Sequence, residues 1–171
     1  MKRSKILVVI ATLAAIIFGF PSFSYGQIVF PEVKVGAVNY KYLSSVDNKE
    51  VAEPVRRLQQ EAAVFDVKDP KYFEDEYNTY LVTFELPEGK ILAAYDSEGK
   101  LLRTAEKFKN TVLPKAVGQS ALQKYPGWRI AEDVYLVNFH DRKGTTKTYK
   151  LLLEKGDKRM KVKMNEKGEV I

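Results

Sequence analysis

The segment Tyr80 to Leu102 (YLVTFELPEGKILAAYDSEGKLL) lies over Tyr149 to Ile171 (YKLLLEKGDKRMKVKMNEKGEVI) without a gap, at a constant offset of 69 residues over 23 positions. Tyr80 meets Tyr149, Glu85 meets Glu154 and Gly99 meets Gly168, while Val82/Leu151, Ile91/Met160, Ala93/Val162 and Tyr95/Met164 keep similar character. Turn residues match as well as apolar ones, which restricts the chain to folds that use one strand-turn-strand plan twice. Asp96-Ser97-Glu98-Gly99, Asp141-Arg142-Lys143-Gly144 and Asn165-Glu166-Lys167-Gly168 all read Asp/Asn-x-x-Gly. In such a turn the leading side chain accepts from the turn backbone and the Gly supplies a positive φ, so three antiparallel hairpins are expected.

A helical stretch precedes each half. Pro114 to Tyr125 places Val117, Ala121 and Tyr125 on one stripe and ends at Pro126-Gly127; Pro54 to Phe65 does the same with Val55, Leu58, Ala62 and Phe65. The second half has a longer span between helix and repeat, which accommodates a strand at Asp133 to Phe139. Its counterpart in the first half is the polar loop around Asp69 to Glu76. The expected fold is therefore α+β: two helix-plus-antiparallel-meander repeats (54–108 and 109–171), helices packed on one face of the sheet.

Alternation assigns the faces. Tyr80, Val82, Phe84, Ile91, Ala93 and Tyr95, with Leu151, Leu153, Met160, Val162 and Met164, point toward the helices. The opposite side carries Leu81, Thr83, Leu92, Lys150, Leu152, Arg159, Lys161 and Lys163. This mixed apolar and basic surface is the candidate partner-binding face.

Upstream, Lys2, Arg3 and Lys5 precede the apolar run Ile6 to Phe20, which is followed by Pro21 and Ser24-Tyr25-Gly26. That is the layout of a secretory signal peptide over residues 1–26, and the run is shorter than the roughly 20 residues a membrane-spanning helix needs. Residues 27–53 read as an extended lead-in. Without the leader the chain keeps 25 basic and 22 acidic residues, a net charge of +3. The expectation is a periplasmic or secreted protein with no membrane span after cleavage and no nucleic-acid partner. The 171 residues contain no Cys and one His, which excludes disulfides, cysteine metal sites and any two-histidine nucleotidyl-transfer motif.

His140, immediately before the Asp141 turn, would have to serve any Ser-His-Asp machine, and no nucleophile motif accompanies it. Phosphate-binding Gly-rich loops are absent. The acidic run Glu74-Asp75-Glu76, with Asp66 and Asp69, lacks the spacing of a calcium loop. No catalytic residue, cofactor or metal site is expected.

The helix ending Leu122-Gln123-Lys124-Tyr125-Pro126-Gly127-Trp128, the strand Val134-Tyr135-Leu136-Val137, and the strands Tyr149 to Glu154 and Val162 to Glu169 together resemble the bacterial PepSY-like domains, grouped with the β-lactamase-inhibitor-like fold. The resemblance covers Leu113 to Ile171 and, through the repeat, Pro54 to Leu102. It implies helices packed on an antiparallel sheet, a noncatalytic role in the envelope or outside the cell, and a partner protein that is bound or restrained. An exported hydrolase or small-ligand-binding protein is the alternative; it would show a deep pocket with convergent polar groups.

Export gives the first testable outcome: mass spectrometry of the protein from its native host should find a mature N-terminus at or beside Gln27. A chain that still begins at Met1 or Lys2 would overturn it.

Overall fold

The computed structural model describes residues 39–47 and 50–171, so the leader and residues 27–38 lie outside the described residues. Three helices and six strands follow in the order α1 (Tyr40–Val46), α2 (Glu53–Val64), β1 (Thr79–Leu86), β2 (Gly89–Asp96), β3 (Leu101–Lys109), α3 (Lys115–Lys124), β4 (Arg129–His140), β5 (Gly144–Lys155) and β6 (Lys158–Asn165). The strands form one sheet in sequence order, every neighbouring pair antiparallel. The fold is α+β, with the helices packed into one core on one side of the sheet.

The lead-in corrects the expectation of extended chain, because residues 40–46 are helical. Tyr42 and Val46, four residues apart, are both 1% exposed. Their burial on one helical face outweighs the β-prone composition of YKYLSSV. A second difference is β3, which alternation in the sequence did not disclose. Its core-facing positions are Leu101, Thr104, Glu106 and Phe108, and two of these four are polar.

The 69-residue offset holds for a hairpin and not for a whole unit. Tyr80 pairs with Tyr95 and Phe84 with Ile91; at the same offset Tyr149 pairs with Met164 and Leu153 with Met160. The two edge hairpins β1–β2 and β5–β6 thus share one register. However, β1 opens its meander whereas β5 is the middle strand of its own, so Tyr80 and Tyr149 do not occupy equivalent places in two superposable units. The turns after the hairpins agree in detail. Asp96 Oδ1 accepts from the amides of Glu98 (3.0 Å) and Lys100 (2.9 Å), and Asn165 Oδ1 accepts from Lys167 and Glu169 (both 3.0 Å). Gly168 holds φ at 78°, and an added Cβ would lie 2.5 Å from the carbonyl oxygen of Ala116 in α3. The turn therefore seats α3 as well as reversing the chain. In the third turn His140, rather than Asp141, accepts from the turn backbone, through Nδ1 and the amide of Arg142 (3.2 Å).

Two polar side chains tie the layers together. Asn39 donates to the carbonyls of Ala63 (3.1 Å) and Gly99 (3.3 Å) and accepts from the amide of Leu101 (2.7 Å), joining the end of α2 to the β2–β3 turn. Glu106 on β3 is 3% exposed. Its carboxylate accepts from Tyr42 on α1, Gln59 on α2 and Thr104 on β3, each at 2.8 Å. Burial pushes its pKa above the ordinary value of 4.5, while the three hydrogen bonds and the charge of Lys147 oppose that shift.

The sign of the pH effect follows. As pH rises past 4.5 the unfolded chain releases the Glu106 proton before the folded chain does. The stability this group contributes is present below that pH and lost as pH climbs through the raised folded pKa. Glu106→Gln should remove this component of the pH–stability profile in denaturant titrations. Glu106→Leu, which strands three buried donors, should cost about 3 kcal/mol.

Candidate functional site

The sheet has one covered side and one open side. Alternation places Ile91, Tyr95, Phe108, Tyr135, Val137, Tyr149, Leu151 and Met164 on the covered side, all buried. Every residue singled out from the sequence lies on the open side: Leu81, Thr83, Leu92, Lys150, Arg159, Lys161 and Lys163 are exposed and Leu152 is half-buried. The structure sets them in two groups at opposite ends of that face, separated by β3 and β4.

At the β4–β6 end, Lys150, Leu152, Lys161 and Lys163 line a cleft of about 400 Å³ together with Glu132 and Val134. Val134 and Leu152 supply aliphatic surface and the lysines surround it. At the other end Leu81 and Leu92 join Ala94, Arg103, Ala105, Asn138, His140 and Thr146 in a second cleft of about 540 Å³. Arg159 stands apart: its guanidinium is 2.9 Å from Glu154 Oε1, and Arg129 contacts the other oxygen of the same carboxylate. Its charge is already engaged.

The middle of the face went unseen in the sequence. Arg103, Ala105, Lys107 and Lys109 of β3 all point to the open side, opposite Thr104, Glu106 and Phe108. The available signal was the alternation of small or basic residues at 103, 105, 107 and 109, masked by the polar residues that alternate with them. With β3 in place, Lys90, Arg103, Lys107, Lys109, Lys150, Lys161 and Lys163 form an array in which none makes an ion pair among the described residues. Two pairs face each other directly across strands, Lys90 with Lys107 and Lys150 with Lys163. Like charges in that position oppose sheet pairing.

His140 sits at the edge of the second cleft, its side chain 42% exposed. Its Nδ1 accepts from the Arg142 amide, which assigns the proton of the neutral ring to Nε2. The same Nδ1 is 3.1 Å from Asp141 Oδ1, a contact that becomes an ion pair only when the ring is protonated. A hydrogen bond from Lys100 (3.2 Å) holds the Asp141 carboxyl below the usual carboxylate range. Glu74, Asp75 and Glu76 are exposed in the loop before β1, which packs through Phe73 on Tyr80 and through Tyr72 on Phe65, beside the covered side. No group of three His, Asp or Glu side chains placed to hold a metal ion occurs among the described residues. None of their helices is long and apolar enough to cross a membrane.

The class so defined is an α+β protein that offers one open, basic antiparallel sheet face. No family model matches the chain, and no curated protein matches it. Among solved structures, a BLIP-like protein from Bacteroides fragilis is similar over 57% of this chain and 68% of that chain, at 18% identity and a TM-score of 0.32. That description names a BLIP-like protein and does not name a PepSY domain. So remote a likeness carries no argument about fold group or function.

The cross-strand lysines yield a stability test. Lys163→Glu turns the repulsion with Lys150 into attraction and should raise stability by about 0.5 kcal/mol, read as a higher urea midpoint.

Proposed function

We propose that this chain is an exported, noncatalytic, PepSY-like binding module that holds a partner protein on its open sheet face, in the bacterial envelope or outside the cell. The carrying observation is the asymmetry of the sheet. Helices bury one side in a single core, while the other carries seven cations with no ion pair among the described residues, four of which, Arg103, Lys150, Lys161 and Lys163, line aliphatic clefts. A surface meant only for solvent gains nothing from lysines set against lysines, whereas a surface that meets an oppositely charged partner does. The leader composition supports export, and the helix followed by three antiparallel strands after Leu113 supports the PepSY-like reading.

A photo-crosslinking residue placed at Leu92 or Lys150 in the native host tests the reading. Both positions should trap a discrete partner, while the same residue at Arg57, on the exposed side of α2, should not. Reversing Lys161 and Lys163 to Glu should weaken association with the trapped partner by more than about 1 kcal/mol, and His140→Ala should leave it unchanged. Equal trapping at Arg57, or loss of function on His140→Ala alone, would overturn the proposal.

A further inference from the structure

The partner's chemistry can be drawn from the same face, and this step rests on the binding reading above. One cross-strand row runs Lys109, Val134, Lys150, Lys163 over β3 to β6, and Leu152 and Lys161 stand in the next row. Adjacent strands lie about 4.8 Å apart, so four cations crowd within one to three strand spacings around the cleft floored by Val134 and Leu152. Among the described residues none of the four makes an ion pair. Glu154 is occupied by two arginines, and the acidic run Glu74 to Glu76 belongs to a loop at the far edge, packed beside the covered side. Two carboxylates line the cleft, Glu132, which is exposed, and Asp133, which is 6% exposed and accepts from the amide and hydroxyl of Thr111.

We infer that this cleft takes an acidic segment of a partner protein, with carboxylates against Lys109, Lys150, Lys161 and Lys163 and an aliphatic side chain on Val134 and Leu152. Charge complementarity fixes the sign of the occupant, and the aliphatic floor fixes a second requirement that a bare anion does not meet. The residue types also select among anionic polymers. No Phe, Tyr or Trp lies among the open-side residues of the six strands. Proteins that hold single-stranded nucleic acid stack its bases on aromatic side chains, and this face has none to offer. Lysines, rather than arginines, make point-charge contacts that suit carboxylates arriving on a flexible segment.

The probe is a short peptide of alternating Glu and Leu, added to isotope-labelled protein purified as the host processes it, with binding mapped by amide chemical shifts. Shifts should centre on Val134, Lys150, Leu152, Lys161 and Lys163, and affinity should fall by about tenfold between low and high salt. K150E/K163E should weaken the peptide by about tenfold, whereas charge reversal at the exposed Lys124 of α3 should not. The Gln-Leu counterpart should bind at least about tenfold more weakly. The inference is overturned if the Gln-Leu peptide binds equally, if K150E/K163E binds normally, or if heparin or anionic lipid vesicles occupy these residues more tightly than the acidic peptide. Crosslinking separates the two proposals. A partner trapped through a segment without Asp or Glu would sink this inference alone, whereas specific acidic-peptide binding with no trapped partner would sink the binding-module reading alone.

Discussion

The buried carboxylate of Glu106 decides which side of the sheet is covered. An antiparallel strand reserves that position for an apolar side chain, and a charge there is tolerated only when its lone pairs are occupied. Tyr42, Gln59 and Thr104 occupy them, and the first two arrive on different helices. Docking of α1 and α2 is thereby tied to one register on β3, in a way that burial of Val55, Leu58 and Ala62 alone would leave free to slide. Because the three helices of the described residues all contribute to a single core on that side, none of them covers the other. The open basic face is the structural consequence.

How much of this was legible depended on whether polarity tracked burial. Periodicity identified both longer helices, and the Asp/Asn-x-x-Gly motifs identified the β2–β3 and β4–β5 turns, because in each case the local chemistry has one dominant use; the third motif follows β6, where an isolated bridge from Met164 to Val170 stands in place of the expected hairpin. The failures have a common cause. On β3, Thr104 and Glu106 sit inside, and only a three-dimensional set of donors makes that possible, so the strand carried no hydrophobic alternation to read. On α1, a seven-residue helix, the single pair Tyr42 and Val46 is too short a pattern to outvote β-prone neighbours. The open face proposed for binding followed the same division. Its β5–β6 part was readable from Lys150, Leu152, Lys161 and Lys163, whereas the part built on β3 disappeared with the strand that displays it. The offset of 69 was real in register and misleading in topology, because a hairpin can recur at either edge of a sheet without its unit recurring.

The two sheet edges are protected by different means. On β6 the alternating Arg159, Lys161 and Lys163 discourage pairing with another strand. β1 carries a single charge, Glu85, and relies on its surroundings. Phe65 packs on Phe84 and Tyr72, with ring centroids 5.4 and 5.7 Å away, while Phe73 and Tyr77 lean on Tyr80. The acidic loop thus has a structural task that explains its aromatic content, and its carboxylates remain at the solvent side of that cover.

The composition of the open face also bears on how the proposed partner would be held. Interfaces that draw most of their energy from a few anchors use Trp, Tyr and Arg, and on this face only Arg103 is of that kind among the described strand residues: Tyr95, Tyr135 and Tyr149 lie in the core and two arginines are on Glu154. The rest is aliphatic surface and lysine. Lysine fields accelerate encounter and set orientation more than they deepen affinity, and their long side chains lose conformational freedom on contact. A face built this way favours quick, salt-sensitive association and depends on its partner to bring the large side chains. The mutual repulsion of Lys150 and Lys163 fits that division, because relief of a cross-strand repulsion is energy the sheet holds only in the unbound state and releases on contact with a carboxylate.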